Sequence, residues 1–180
     1  MTPLRTDRLI LRNWRPGDRD LFRRINADDQ VMEFFPFRRT ADEADAFLDR
    51  LTAENDAVGY GWTAAELAAT GETIGFIGIH AAEIESVVPR GSIEIGWRLA
   101  PEFWGRGYVT EGARAWLDYA FGVLGAAEIV SFAVETNVRS IAVMRRLGMR
   151  PDGSFDHPGV PDTHPHLKRH VLFRLAAQAA

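Results

Sequence analysis

The chain has 180 residues, 46% of them hydrophobic and 26% charged, with a formal net charge of −4. That is one ordinary globular domain's worth of sequence, long enough to bury roughly two-thirds or more of its unfolded surface. An acidic balance without a basic stripe argues against nucleic acid as a partner. The absence of Cys excludes a disulfide framework, a thiolate zinc site and a Cys nucleophile.

The opening MTPLRTDRLILRNWR carries charges every few residues and no uninterrupted apolar run, so it is not read as a secretory leader. No window approaches the run of about 18 apolar residues that a membrane span needs, and a cytoplasmic protein without a membrane partner is expected. Asp7 to Trp14 sets Leu9 and Leu11 against Ile10, Arg12 and Trp14, the alternation of a first strand. Pro16-Gly17 closes it, and Asp18 stands where a side-chain cap would open a helix through Leu21, Phe22 and Ile25. The stretch Val31 to Phe37 is dense in aromatics without either period, and reads equally as a packed connector or a pocket wall. Thr40-Ala41-Asp42-Glu43 is a capping box, followed by a helix whose buried face is Ala44, Phe47, Leu48 and Leu51. Gly59 to Leu67 and Thr73 to Ala81 form a hairpin with Gly71 near the turn, and Glu83 to Arg90 is a polar loop.

Gly91 to Leu124 is the stretch around which the chain is organised. Ser92 to Leu99 alternates Ile93, Ile95, Trp97 and Leu99 against Glu94, Gly96 and Arg98, a strand that Pro101 ends. From Val109 onward Ala113, Leu117, Ala120 and Leu124 recur at three- and four-residue steps, one face of a helix. Between them lies Gly105-Arg106-Gly107-Tyr108-Val109-Thr110. The first N–H groups of a helix lack intrahelical partners and sit at the positive end of its dipole. Two glycines let a ligand approach that backbone closely, so the turn suits a phosphate or pyrophosphate. Arg106 could add a charged donor and Thr110 a hydroxyl. The spacing is not that of a dinucleotide fingerprint, because Thr110 stands where a third Gly is needed. Nor is it a P-loop, because the only Lys is Lys168.

Glu128 to Glu135 alternates again, and two strands joined through a helix predict a parallel pair with a right-handed crossover. Asn137 opens a further helix with Ile141, Met144 and Leu147 inward and Gly148 as its stop. Asp152 to Phe155 and Lys168 to Leu175 read as a closing pair of strands around a Pro/His-rich loop, and Ala176 to Ala180 as a frayed end. His164, His166 and His170 have no carboxylate partners at metal-ligand spacing, so no metal is assigned.

EIGWRLAPEFWGRGYVTEG, Glu94 to Gly112, resembles the acetyl-CoA motif of the GNAT superfamily of N-acyltransferases, Gln/Arg-x-x-Gly-x-Gly/Ala after a strand. Glu102 replaces the Gln or Arg. The form Pro101-x-x-Trp104-Gly105-x-Gly107-Tyr108-x-Thr110-Glu111 is similar to the RimJ/RimL-type branch, which acetylates protein N-termini and, in relatives, small amines. NVRSIAVMRRLGM, Asn137 to Met149, matches the same branch with Met149 in place of Phe. The resemblance implies one N-acetyltransferase domain over residues 1–180. Its α/β fold would have a central mixed, mostly antiparallel sheet, a splayed parallel strand pair and about four flanking helices. It also implies direct, metal-free transfer from acetyl-CoA to a primary amine, and a homodimer is an open expectation because dimers are common in the family.

The same resemblance assigns roles. The pantetheine arm would lie between the strand ending Gly96-Trp97-Arg98-Leu99 and the strand ending Val134-Glu135, with a strand N–H on the thioester oxygen. Trp97, Leu99, Gly105, Arg106, Gly107, Tyr108, Val109 and Thr110 would hold the cofactor, and Asn137 would orient the pantetheine amide or a water. Many relatives carry a Tyr seven residues after the Asn as general acid; that position here is Met144, so the Rim-type alternative, Ser140, takes the role. Phe34, Phe35 and Phe37 would border the acceptor. Glu94 and His157 rank level as general base, with Glu135 as a further carboxylate. A competing reading keeps the fold as a non-catalytic acyl-CoA sensor, for which Glu102 and Met144 speak.

Overall fold

Each alternating segment of the sequence forms a strand, and the strands join in one sheet. In the computed structural model, which describes residues 1–82, 84 and 86–177, the first elements are β1 (Leu4–Arg5), β2 (Leu9–Arg12), α1 (Arg19–Ala27), α2 (Ala41–Val58), β3 (Trp62–Leu67) and β4 (Thr73–Ala81). There follow β5 (Ile93–Leu99), α3 (Tyr108–Gly122), β6 (Glu128–Val134), α4 (Val138–Arg146), β7 (Arg150–Asp156) and β8 (Arg169–Ala176). The spatial order is β1-β2-β3-β4-β5-β6-β8-β7. Every neighbouring pair is antiparallel except β5 and β6, which are parallel. This is the mixed, mostly antiparallel sheet with one parallel pair that the motif implied. Glu83 and Glu85 of the expected polar loop, and residues 178–180 of the expected frayed end, lie outside the described residues.

Register divides the sheet into two faces, because paired residues point to the same side. Trp62 pairs with Gly78 and Gly78 with Gly96, Phe76 with Arg98, and His80 with Glu94. These side chains share the face covered by α1 and α2, where Phe22 and Phe76 lie 6.4 Å apart. Ile77, Ile95 and Leu99 point to the other face, covered by α3. Trp116 of α3 is 1% exposed there and donates its Nε1–H to the Ile77 carbonyl at 3.1 Å. Burying one such aromatic contributes on the order of 2–3 kcal/mol, which fixes α3 and hence the turn at its start. Among the described residues no helix is long and apolar enough to cross a membrane.

The capping box forms as expected: the Thr40 N–H donates to Glu43 at 2.8 Å and the Glu43 N–H to Thr40 Oγ1 at 3.3 Å. The first strand departs from its pattern. It is shortened to β2, Leu9–Arg12, with β1 a separate short strand before it, and Arg12, expected on the solvent side of Leu9 and Leu11, is 4% exposed. A charge persists in that position only when paired. Arg12 donates to Asp18 at 2.7 and 3.0 Å and to Glu66 at 2.6 Å. Asp18 therefore makes no side-chain cap on α1. Its carboxylate accepts from Arg12, Thr73 and the Arg15 N–H instead. Burial works to raise the Asp18 pKa, but those bonds outweigh it and hold the carboxyl below its ordinary value.

Candidate active site

The parallel strands pair at two positions only, Ile93 with Ile129 and Glu94 with Val130. Beyond them β5 runs on to Leu99 and β6 to Val134 without a shared ladder, so the peptide groups facing the gap have no cross-strand partner. Trp104 takes up the end of β5, its Nε1–H donating to the Leu99 carbonyl at 2.8 Å. The gap opens a cleft of about 1420 Å³. Trp97, Leu99, Gly105, Gly107, Tyr108, Val109, Thr110 and Asn137 all line it, as do Ser140, Glu94, His157, Phe34, Phe35 and Phe37. The structure thus brings together every residue assigned from sequence except Arg106 and Glu135.

At one end stands the glycine turn. Gly105 (φ 73°) and Gly107 (φ 81°) are both left-handed, a conformation that a Cβ disfavours. Gly107 is the N-cap of α3. The turn is clamped by residues that no local pattern announced. Arg8 donates to the Arg106 carbonyl at 3.0 Å and to Glu111 at 2.6 Å, and stacks on Tyr108 at 4.6 Å. Thr6 donates to the same Glu111 carboxylate at 2.6 Å. Burial works to raise the Glu111 pKa, but the bonds from Thr6 and Arg8 hold it below the ordinary range. The Arg106 side chain is exposed, lies over Phe103 at 5.7 Å and does not line the cleft. Cationic lining comes from Arg5, Arg8, Arg39, Arg98, Arg114, Arg139 and Arg146 instead. Glu102 is turned outward onto Arg24 at 2.6 Å, so its charge does not face the cleft.

At the start of α4 the Asn137 side chain caps the helix, its Oδ1 accepting the Ser140 N–H at 3.1 Å. The Ser140 hydroxyl makes no hydrogen bond to the described residues. Met144 is buried, 1% exposed. Glu94 sits on β5 where the ladder ends, with His80 Nε2 at 3.4 Å from its Oε2. Glu135 is exposed and outside the cleft lining. Gly96 proves to be a packing glycine: a Cβ there would lie 2.7 Å from the Trp62 ring.

His157 and His170 meet in the cleft lining with ring centroids 4.8 Å apart and planes tilted by 42°. Burial, reinforced by the neighbouring His170, pushes the His157 pKa down to about 4, and burial lowers that of His170 as well. Both rings are neutral at pH 7, and their tautomers follow from their partners. His157 Nδ1 accepts the Gly159 N–H at 3.0 Å, which leaves the proton on Nε2. His170 Nδ1 lies 2.9 Å from the Lys168 carbonyl and must donate to it, which leaves Nε2 bare. The segment from Val31 to Phe37 divides between its two readings. Val31 and Met32 are buried as a connector, whereas Phe34, Phe35 and Phe37 form a wall of the cleft.

Known proteins of similar sequence and shape agree with this geometry. A family described as the Acetyltransferase (GNAT) domain matches residues 8–150. The chain is 32% identical over 153 residues to the FsC-acetyl coenzyme A-N(2)-transacetylase of Aspergillus fumigatus. That match covers 81% of this chain and 64% of the longer fungal protein, just under two-thirds of its length. Among solved structures it is similar to an acetyltransferase from Agrobacterium tumefaciens str. C58, with 29% identity, a TM-score of 0.77 and coverage of 98% of this chain and 95% of that one. An acetyltransferase (GNAT family) from Bacillus anthracis shares the fold at a TM-score of 0.79 with 22% identity, over 97% of this chain and 98% of its own.

Proposed function

The chain belongs to the GNAT acetyltransferase family, and from that premise we propose that it transfers the acetyl group of acetyl-CoA directly to a primary amine, on a protein N-terminus or a small molecule, in the manner of the RimJ/RimL-type branch. The observation that carries this reading is the parted strand pair with a left-handed glycine turn on one rim and Glu94 and Ser140 on its walls. An acyl-CoA fits those features by its chemistry. The first N–H groups of α3 suit its pyrophosphate, and unpaired strand peptides suit the amides of its arm. When bound, acetyl-CoA supplies a thioester carbonyl carbon open to attack by the amine nitrogen.

The residues then divide the work. Glu94 takes the amine proton, directly or through a water, as the new C–N bond forms. His157 is not assigned that role, because its Nδ1 is engaged by Gly159 and its Nε2 already carries the proton. An N–H of β5 facing the gap donates to the carbonyl oxygen as negative charge develops on it. Ser140, whose hydroxyl is uncommitted, gives a proton to the sulfur as the C–S bond breaks. Asn137 holds Ser140 in place through the helix cap. The absence of Cys accords with a direct transfer.

Calorimetric titration with acetyl-CoA, with ATP and NAD as controls, followed by thiol release on an amine panel, tests the proposal. Selective binding with amine-dependent thiol release supports it. Binding without release on any amine would make the protein an acyl-CoA sensor, and no binding would sink both readings.

A further inference from the structure

The side of the cleft covered by α1 and α2 holds two guanidinium groups, and among the described residues no carboxylate lies at ion-pair distance from either. Arg98 projects from β5 on the face that carries Glu94, and Arg39 comes from the turn before α2. Arg98 Nη1 donates to Asn26 Oδ1 at 2.6 Å, and Arg39 Nη1 to the same oxygen at 3.4 Å. Asn26 Nδ2 donates to the Phe22 carbonyl at 2.8 Å, which fixes the amide's orientation. One neutral oxygen thus serves two cations. Arg98 Nε is buried with no hydrogen-bond partner among the described residues.

The contrast with Arg12 is instructive. Both arginines project from sheet strands, but Arg12 is met by Asp18 and Glu66, and the two bonds raise its pKa in spite of burial. Arg98 has no such counter-charge, and burial, with the charge of Arg39 added, brings it down to about 9. Burial lowers Arg39 too. Their surroundings are aromatic instead: Arg98 lies over Phe35 at 4.4 Å and Phe76 at 5.3 Å, and Arg39 over Phe37 at 4.6 Å and Phe47 at 4.3 Å. Ring quadrupoles relieve part of the cost of burying a cation, but they supply no negative charge. Incompletely paired charges in a cleft are candidates for a functional site.

Arg98, Arg39, Phe35 and Phe37 all line the cleft. Glu94 and Arg98 are four residues apart on one strand face, roughly 13 Å along the backbone. We infer that the acceptor is an amine whose own molecule carries a carboxylate several bonds from the nitrogen, with the carboxylate seated on Arg98 and Arg39 and the amine toward Glu94. The inference rests on the acetyltransferase reading and names its substrate class. Guanidinium forks match a planar carboxylate with two parallel bonds, and the aromatic walls accept an apolar connecting chain. α3, whose N-terminus suits pyrophosphate, covers the opposite face of the sheet, so this pair is not needed there.

The test uses product analogues that differ only at the far end: N-acetyl-ε-aminocaproate, its carboxamide, and a phosphate monoester of matched length. Each is titrated, with CoA present, into the wild-type protein, Arg98→Gln and Arg39→Gln, and acetyl-CoA is titrated into all three proteins. The carboxylate should bind at least about tenfold tighter than the carboxamide, as charge-assisted bonds do. Each substitution should bring the two within about twofold while acetyl-CoA affinity is unchanged. A carboxamide bound as tightly, a preference that survives both substitutions, or no binding of any analogue overturns the inference with the acetyltransferase reading intact. A phosphate monoester bound more tightly overturns the carboxylate assignment. Loss of acetyl-CoA binding by the wild type withdraws the activity reading itself. If Arg98→Gln fails to fold, Arg98→Lys keeps the charge without the fork, and discrimination should fall; full discrimination in that variant would again overturn the inference.

Discussion

Replacing Gly107 by Ala separates the geometry of the glycine turn from the stability of the helix it opens. Gly107 has φ 81°, and a residue with a Cβ held in that region costs about 1–2 kcal/mol. The added methyl meets only the Arg8 Nη2 atom, at 3.5 Å, an ordinary contact with the end of a flexible side chain. Strain is therefore the whole expected cost to the fold, a fall in Tm of roughly 2–8 °C for a domain of this size. Gly148, at φ 82° with nothing within 4 Å of its Cβ and away from the cleft lining, should lose the same amount when replaced by Ala. It is the matched control. The two variants should part at the ligand, because a methyl at the N-cap of α3 stands among the amides that would hold pyrophosphate. Acetyl-CoA should bind Gly107→Ala at least about tenfold more weakly than Gly148→Ala, about 1.4 kcal/mol. Thermal unfolding and calorimetric titration of the three proteins measure both quantities. Equal Tm losses with equal affinities would show that these amides do not touch the ligand, and the assignment of the turn would fall.

Ser140→Ala should reduce kcat by about a hundredfold or more while the KM for acetyl-CoA holds, as expected for loss of a proton donor used in the reaction step; an unchanged kcat ends that role. Asp18→Ala removes the two-bond partner of Arg12, whose side chain is 5% exposed, and should destabilise the fold by about 3–5 kcal/mol. A loss under about 1 kcal/mol in urea denaturation would show that Glu66 alone neutralises Arg12. Stability should fall as pH drops from about 6.5 toward 4, because in that window the unfolded chain protonates His157 and the folded one, with a pKa of about 4, does not. Discounted for its partial exposure, this residue's share is about 1–2 kcal/mol. His157→Asn should flatten the slope of stability against pH across that window, and an unaltered slope would contradict the neutral, half-buried imidazole.

The parts of the fold that rest on local periodicity could be read from the chain alone. Ile93 to Leu99, the capping box at Thr40, and the Gly105–Thr110 junction each declare themselves within a few residues, because strand alternation, caps and left-handed turns are short-range effects. The cofactor side of the cleft follows from them. What the sequence concealed is held by partners far apart along the chain. Arg8 and Glu111 meet across 103 residues, and Arg98 and Asn26 across 72; in both cases each residue by itself reads as a solvated polar position. The outward orientation of Glu102 depends on Arg24 of α1. Arg12 looked like the polar half of an alternating strand, and only the arrival of Asp18 and Glu66 makes its burial tolerable. The proposal that Glu94 and not His157 is the base turns on one backbone N–H, that of Gly159, which no residue pattern encodes.

The two-position ladder between β5 and β6 is also a mechanical seam. β6 is bound to β8 through seven successive pairs, and β8 to β7 in turn, so the C-terminal strands form a panel of their own, joined to the rest of the sheet by a ladder of two pairs only. A molecule lying along the gap touches both panels and acts as a removable stitch between them. By mass action, anything bound there shifts the balance between the closed sheet and its partly opened forms. The cohesion of the protein is then partly a property of its supply: amide exchange in β6, β7 and β8 should slow as ligand accumulates and quicken as it is depleted, while that in β2, β3 and β4 stays the same.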